Sequence, residues 1–372
     1  EKNRISAEMP NLAGQAKAEA AGRSRAIGEK IGAYDEDLKA AREEYRNLMW
    51  QVPNIPAPDV PVGRSDEDNV VVRTEGEPRK FDFAPRDHYD ILEMNGWADF
   101  KRAAKVCGSR SYTLKGAAAR LEIALHMYMM DKLTDKGFTM ITVPSMVKEE
   151  ALYGTGHFPA GREEVYYLPK DNMYLSGTAE VVLTSLHSDE ILEENQLPIL
   201  YAGYSPCFRR EAGSAGKDVR GLIRLHQFMK VEQYVICRND PAESQKWFEA
   251  LLATAEEALK DMELPYHVLE CCTGDMGAGK YRMYDLETWM PSQGKYRETH
   301  SCSNLTEWQA RRANLRYREN GTNKVRYCHT LNNTGIATPR IMAPLLENHQ
   351  LEDGRVRIPE KLRPYMNGKE FL

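Results

Sequence analysis

The spacing of apolar residues predicts helices in four parts of the chain. The clearest periodic stretch is GAAARLEIALHMYMMDKLTDK, residues 116–136, where apolar side chains recur every three or four residues and Gly137 follows as a stop signal. A thinner apolar pattern, with Asp35 as a candidate cap, predicts a helix over residues 34–50. The remaining predicted helices cover residues 240–262 and 340–349.

Short runs rich in aromatic and β-branched residues predict strands between these helices. They cover residues 138–144, 166–168, 173–175, 200–204, 230–237, 266–271, 280–289 and 324–330. The strands come in groups, and a helix does not follow each strand. This order favours an α+β fold, an antiparallel sheet flanked by helices, over an alternating parallel arrangement.

The pattern divides the chain into three parts. Residues 1–51 are densely charged with a thin apolar seam, which fits either a frayed tail or one half of an antiparallel helical arm. Residues 52–63 contain four prolines and predict a stiff linker, because proline cannot continue a helix. Residues 64–372 then form the main domain.

Composition excludes several classes of protein. Of 372 residues, 42% are hydrophobic, which is typical of a globular chain, and the net charge of −5 excludes a uniformly basic nucleic-acid coat. No apolar stretch is long enough for a membrane span, and the first twenty residues do not read as a signal peptide. Seven cysteines without a CxxC pair indicate reduced thiols, so we expect a cytoplasmic protein.

Motif spacing excludes common nucleotide and metal sites. Neither GxxxxGK[ST] nor GxGxxG occurs, and HExxH and zinc-type Cys/His spacings are also absent. The strongest chemical signal is FRRE, residues 208–211, followed by the glycine-rich and cationic stretch AGSAGKDVRGLIR. A strand, a loop and a second strand with these cations would suit a polyphosphate and an RNA end. A solvated basic loop with a structural Arg–Glu pair is the alternative.

Three weaker groupings lie elsewhere in the chain. Glu298 and Ser301 offer hard oxygen donors that could bind Mg²⁺ in an extended or bent segment. Residues 332–340 run into a predicted helix with Pro339 in its first turn, which would put Arg340 at an anion-attracting helix N-terminus. Thr178 and Glu180 could bind an ammonium group. A capping or turn role remains open for each grouping.

Together and in this order, the motifs resemble a class II aminoacyl-tRNA synthetase, and within that class the seryl family of bacterial type without zinc. The three class signatures resemble helix 116–136 with its strand 138–144, FRRE with its loop, and GIATPR. The seryl details are TAE at 178–180, FRREAGSAGKDVRGLIRLHQFMKVEQ at 208–233, CTGDMG at 272–277, SCSN at 301–304, QARRANLRYR at 309–318 and HTLNNTGIATPR at 329–340. The resemblance covers essentially all of residues 52–372.

The resemblance implies a role for each matching residue. The catalytic residues would be Arg209, Glu211 and Arg340, and the Mg²⁺ ligands Glu298 and Ser301. The ATP-binding residues would be Arg209, Arg210, Glu211, Phe228, Glu298, Thr299, His300, Ser301 and Arg340. The serine-binding residues would be Thr178, Ala179, Glu180, Arg209, Glu232 and Thr334.

The implied activity is ATP-dependent activation of L-serine and its transfer to tRNA(Ser), extending to tRNA(Sec) where that tRNA exists. The family grips tRNA with an N-terminal helical arm, here residues 1–51 and expected to be incomplete, and with the Arg209–Arg224 loop. Homodimerisation through helix 116–136 and strand 138–144 is also implied. ATP and Mg²⁺ are expected; zinc is not.

Three positions depart from the commonest bacterial pattern: Thr334 replaces a serine, His300 a serine, and Pro339 a glycine. Other activities remain as alternatives. A threonyl-type enzyme would need the missing zinc motif, a paralogue charging a carrier protein would lack the arm, and a non-catalytic RNA-binding scaffold would not need the intact arginines and glutamates.

Overall fold

The computed structural model describes residues 1–213, 216, 218 and 220–372, which form two compact units, Glu1–Val52 and Pro53–Leu372. Its α-helices are α1 Lys2–Glu8, α2 Gly14–Met49, α3 His88–Met94, α4 Phe100–Cys107, α5 Gly116–Asp135, α6 Glu149–Thr155, α7 Ala179–Ser185, α8 Pro241–Asp261, α9 Trp308–Ala313 and α10 Met342–His349. Its strands are β1 Val70–Glu75, β2 Thr139–Thr142, β3 Met146–Val147, β4 Tyr166–Leu168, β5 Met173–Leu175, β6 Ile191–Glu193, β7 Ile199–Phe208, β8 Gln227–Cys237, β9 Tyr266–Glu270, β10 Arg282–Met290, β11 Lys295–Thr306, β12 Arg316–Arg318, β13 Val325–Tyr327 and β14 His329–Thr338.

The main unit is built on an eight-stranded sheet with the order β1-β9-β10-β11-β14-β8-β7-β2. All neighbours in it are antiparallel except β2 and β7, which run parallel. The expected α+β fold with an antiparallel sheet is therefore confirmed. The sheet pairs strands that lie far apart in the chain, and it brings the ends of β7 and β8 beside β14 and β11.

Helices α5 and α8 cover one face of this sheet. Leu125 on α5 and Leu251 on α8 join one buried cluster with Val235 on β8 and Leu331 on β14. Because side chains alternate along a strand, the even-numbered residues of β8 point to the opposite face. There Tyr234 packs in a second cluster under α7 and α9, and Phe228, Lys230 and Glu232 share that face.

Some predicted elements differ from the observed ones. Helix α2 begins at Gly14 instead of residue 34, and the strand expected over residues 324–330 is divided between β13 and β14. The last helix begins at Met342, with Ile341 as its N-cap. The prediction that Pro339 lies in its first turn and Arg340 at its N-terminus is therefore wrong, since both residues precede the helix.

The N-terminal unit is a pair of antiparallel helices. Ile5 of α1 and Ala20 of α2 are buried, and a Cβ on Gly28 would lie 3.2 Å from Lys2 Nζ. Further along α2, exposed apolar side chains recur at spacings of three, four and seven residues: Ile31, Tyr34, Leu38, Tyr45 and Leu48. Such a seam is typical of a coiled-coil helix. Within the described residues, no helix is long and apolar enough to cross a membrane.

Candidate active site

The loop between β7 and β8 and the ends of β14 and β11 enclose a polar cavity. Seven residues singled out from the sequence line it: Arg209, Glu211, Phe228, Glu298, Thr299, Thr334 and Arg340. A second hollow shares Arg209, Glu298 and Arg340 and adds a row of carboxylates from Asp66, Asp275, Asp285 and Glu287. Cations and acids thus face each other across two adjoining spaces, an arrangement that suits a phosphate chain with a bound cation.

Arg209 and Glu211 follow directly after β7, where the chain leaves the sheet. The backbone N–H of Arg209 donates to His226 O at 3.0 Å, so the two limbs of the loop stay paired beyond the strands. The Arg209 guanidinium lies 5.2 Å from the centre of the Phe228 ring, within range of a cation–π contact. Glu211 has φ +55 and pairs with Arg224 at 3.2 Å. Lys217, which contributes to the predicted cationic loop, lies outside the described residues.

Arg340 connects the loop to β11. Its Nε donates to Ile223 O at 3.1 Å and a terminal nitrogen donates to Glu298 O at 3.3 Å. The same nitrogen lies 3.7 Å from the Glu298 carboxylate. Burial lowers the pKa of Arg340 and the Glu298 charge opposes this shift, so the cation is held in a partly desolvated position.

A β-bulge brings Glu298 and Ser301 to one face of the sheet. Residues three apart on a regular strand point to opposite faces, but the β10–β11 register shifts between Leu286 and Glu287. Glu298 then pairs with Glu287 and Ser301 with Asp285, two residues that alternate onto the same face. The bulge therefore aligns two carboxylates with Glu298 and the Ser301 hydroxyl.

This set of oxygen donors fits a divalent cation. Asp285 Oδ1 is buried and has no hydrogen-bond partner among the described residues. Burial, followed by the nearby Glu298 charge, raises the pKa of Asp285 to about 8. A cation at this position would relieve both effects, and carboxylate and hydroxyl oxygens are the ligands that Mg²⁺ prefers.

A buried polar network adjoins the cavity at β8. Lys230 and Glu232 form an ion pair in which the side chains are 7% and 2% exposed. Lys230 Nζ also donates to Thr178 Oγ1 at 2.8 Å, and Thr178 Oγ1 donates to Glu232 at 3.4 Å. Thr334 lies opposite Glu232 in the β14–β8 register. Four hydrogen-bonding side chains therefore meet at the cavity's inner end.

Glu180 and Glu232 are two buried carboxylates whose pKa values are shifted in opposite directions. Burial raises the pKa of Glu232, and although Lys230 opposes this, the net shift is upward. Burial also acts to raise the pKa of Glu180, but Lys280, His157 and a 2.7 Å hydrogen bond from Gln309 outweigh it and the net shift is downward. Glu180 is thus held as a carboxylate. Ala179 begins α7, capped by Thr178, and is buried.

Three of the predicted ATP-binding residues, Arg210, His300 and Ser301, are not among the residues that line the cavity. Ser301 lies on β11 opposite Asp285. Arg210 points to a separate groove with Glu163 and Tyr166, and its backbone N–H donates to Glu164 O at 2.9 Å. The His300 ring is buried between Thr299 Oγ1 at 3.0 Å and Gly335 O at 3.1 Å, and burial lowers its pKa to about 4. His300 therefore supports the wall formed by β11 and β14.

Lys230, Asp285 and Glu287 are site residues that motif reasoning missed. Lys230 stands two residues before Glu232, and Asp285 and Glu287 alternate along the strand predicted over residues 280–289. That alternation of acids was the available signal, since Asp and Glu are depleted in strands and these two fall on the same face. Their pairing with Ser301 and Glu298 depends on the bulge, which the sequence pattern does not predict.

The fold and the cavity define a class II aminoacyl-tRNA synthetase. The family model for the tRNA synthetase class II core domain (G, H, P, S and T) matches residues 166–349. The chain is 56% identical over 347 residues to a serine–tRNA ligase of Deinococcus radiodurans, covering 93% of this chain and 81% of that one. It belongs to the serine–tRNA ligase family.

Solved structures agree with this assignment. The crystal structure of seryl-tRNA synthetase from Pyrococcus horikoshii complexed with ATP matches with a TM-score of 0.89 and 41% identity, covering 100% of this chain and 87% of that one. The cytoplasmic serine–tRNA ligase of Naegleria fowleri in complex with AMP matches with a TM-score of 0.87 and 31% identity, with the same coverage.

Proposed function

We propose that this chain activates L-serine with ATP and transfers the seryl group to the 3′ end of tRNA(Ser), and of tRNA(Sec) where that tRNA is present. The observation that carries the proposal is the joining of two sites: the cationic cavity at Arg209 and Arg340 opens onto the buried Lys230–Glu232–Thr178 network. One end suits a triphosphate and the other suits a small polar amino acid.

In the first step, the serine carboxylate oxygen bonds to the α-phosphorus of ATP and the bond to pyrophosphate breaks. Such a displacement needs positioned reactants and neutralised charge rather than a covalent enzyme intermediate. Arg209 holds the carboxylate and the α-phosphate, Arg340 the γ-phosphate, Phe228 stacks on adenine and Glu211 accepts from its amino group. Thr178 and Glu180 bind the serine ammonium group.

In the second step, the terminal ribose hydroxyl of tRNA attacks the carbonyl carbon of seryl-adenylate. The ester bond forms, AMP leaves, and a phosphate oxygen takes the proton. The role of the protein here would be to hold the adenylate and the RNA end together, and the cations of the Arg209–Arg224 segment would bind the RNA end.

Glu298 and Ser301 would hold Mg²⁺, supported by the carboxylates of Asp285 and Glu287 on the facing strand. The bound cation would supply charge neutralisation for the phosphates. Thr299 completes the ATP-binding set of this cavity. Arg210 lies in its separate groove and the His300 ring lies behind the wall formed by β11 and β14, so we expect neither to contact the nucleotide directly.

Selectivity for serine over alanine would come from hydrogen bonds to the serine hydroxyl, which alanine cannot make. Glu232 and Thr334 would pair with the serine hydroxyl, and alanine, which lacks that hydroxyl, would leave these hydrogen bonds unmade. A site of this kind rejects the analogue lacking the hydroxyl by roughly 10⁴-fold. Threonine would be excluded by its extra methyl group.

Residues 1–51 would form the tRNA-binding arm, joined by the linker 52–63 to the catalytic domain 64–372. The heptad-like seam on α2 supports this, because its exposed apolar residues suit a second helix of an arm. Since the chain is acidic overall, tRNA binding would rest on local arginines and lysines and weaken steeply with salt.

Homodimerisation would use helix 116–136 and strand 138–144. Ile123 and Met127 on α5 and Met140 on β2 are 54%, 43% and 53% exposed, which supports an apolar interface there. A cytoplasmic location is supported by seven free thiols, all but Cys107 buried.

ATP–pyrophosphate exchange tests the proposal with serine, threonine and alanine in parallel, followed by charging of total tRNA. We expect exchange with serine alone and seryl transfer to serine-accepting tRNA. Exchange without charging would indicate the carrier-protein activity. Exchange with threonine would contradict the proposed specificity, and no exchange at all would favour the scaffold.

A further inference from the structure

His88 and Glu347 form a buried pair next to the returning limb of the Arg209–Arg224 loop. His88, the first residue of α3, is 2% exposed, and Glu347 on α10 is fully buried. His88 Nδ1 lies 2.8 Å from Glu347 Oε1, and the His88 backbone N–H donates to the same oxygen at 3.1 Å. The pair connects two helices to the loop but lines neither of the two cavities described above.

The groups around Glu347 assign the tautomer of His88. The backbone N–H of Ser292 donates to Glu347 Oε2 at 3.0 Å, so both carboxylate oxygens act as acceptors. Nδ1 of His88 must then carry the proton that it donates to Oε1. Nε2 is left with its lone pair, and the backbone N–H of Leu222 donates to it at 3.2 Å.

Gly221 makes this approach to the backbone possible. Its φ is +83, and a Cβ built on it would lie 2.2 Å from His88 Nε2. Any side chain at position 221 would therefore displace the imidazole from Leu222. The loop turns directly onto the ring because this residue is glycine.

Leu222 immediately precedes Ile223 and Arg224, which contact an arginine and a glutamate of the proposed ATP site. The carbonyl of Ile223 accepts from Arg340 Nε at 3.1 Å, and Arg224 donates to Glu211 at 3.2 Å. A shift of Leu222 would move both contacts. We propose that His88 is a positioning residue for the ATP site, acting through its Nε2 acceptor on Leu222; this proposal rests on the proposed function.

Two substitutions of His88 test its two ring nitrogens separately. In His88→Gln the amide oxygen reaches the place of Nε2 and can still accept from Leu222, whereas in His88→Asn the amide nitrogen replaces Nδ1 and keeps only the link to Glu347. We measure KM for ATP and for serine in pyrophosphate exchange, and thermal unfolding. We expect His88→Asn to raise the KM for ATP on the order of tenfold with the KM for serine unchanged, and His88→Gln to stay within about twofold of the wild type for both.

His349→Asn is the matched control. His349 is also a buried histidine of this unit, but its nitrogens contact Met262 O and Arg357, not the loop. We expect a loss of stability without a change in the KM for ATP. Equal KM values for ATP in the two His88 variants, or a higher value in His88→Gln, would overturn the proposal.

Gly221→Ala provides a second route if His88→Asn does not fold. Its Cβ would push the ring away from Leu222 and break the Nε2 contact, so the KM for ATP should again rise; an unchanged KM would overturn the proposal. A wild-type chain without serine-dependent exchange would instead overturn the proposed function, so the two failures are distinguishable.

Discussion

The side chain of Arg209 crosses directly over Gly177, and a Cβ on that glycine would lie 3.4 Å from Arg209 Cγ and 3.2 Å from Phe208 O. The backbone of the turn SGTAE, residues 176–180, thus packs against the Arg209 side chain of FRRE at the centre of the proposed active site. The position of Arg209 thus depends on the absence of a side chain at residue 177.

Gly177→Ala should therefore lower activity by moving Arg209. Because Arg209 is proposed to hold both the serine carboxylate and the α-phosphate, we expect kcat/KM to fall for both substrates, on the order of tenfold. Pyrophosphate exchange measures the change. Gly277→Ala is the control, since a Cβ there meets nothing within 4 Å; equal activity in both variants would show that Arg209 is not displaced.

Glu232→Ala should abolish serine activation and leave the fold intact. The substitution removes the proposed partner of the serine hydroxyl and leaves Lys230 paired with Thr178 alone. We expect serine-dependent exchange to fall by about a thousandfold or more, with cooperative unfolding retained. Glu249→Ala, on the exposed side of α8, is the control. Near wild-type exchange in Glu232→Ala would remove this residue from the serine site.

Glu298→Gln and Ser301→Ala should each raise the Mg²⁺ concentration needed for half-maximal exchange. Both substitutions weaken the oxygen set that the β11 bulge aligns, so an increase of about tenfold or more is expected. Titration of exchange against Mg²⁺ measures it, with Asp353→Asn, an exposed carboxylate paired with Arg355, as the control. An unchanged Mg²⁺ requirement in both variants would place the cation elsewhere.

His349 should make the main unit less stable in acid. Burial lowers the pKa of His349 from 6.5 to about 4, with Arg357 acting in the same direction. The unfolded chain therefore binds a proton more readily, so this stability is complete above pH 6.5 and is lost as the pH falls toward 4, by about 2–3 kcal/mol at pH 4.5. His349→Gln should show a smaller loss between pH 7 and 4.5 in urea unfolding. Equal losses would contradict the assignment.

Much of the site was predictable because the chain carries it in compact motifs. FRRE with its loop was expected between two strands, and the structure has β7 ending at Phe208 and β8 beginning at Gln227. The strands Tyr166–Leu168 and Met173–Leu175 match their predicted ranges, since each is an aromatic run bounded by turn residues.

Other features depend on information that no local pattern carries. The bulge that unites Glu298 with Ser301 is a property of register between two strands, not of either strand alone. The His88 contact to Leu222 spans 134 positions of the chain. The first half of α2 was missed because its residues are mostly alanine, glycine and charged, which leaves no apolar period to detect, and only Ala20 in that helix is buried.

The strand order β11-β14-β8-β7 also has a kinetic consequence. Thr334 on β14 pairs with Glu232 about a hundred positions earlier, so the serine end of the proposed site depends on a pairing of high contact order, whereas β10 and β11 are successive strands. The β14–β8 pairing requires closure of a long loop, which slows folding compared with a helical chain of similar length. The binding of ATP should accordingly appear late in refolding, after helical signals have recovered, and truncated fragments of the sheet should bind none.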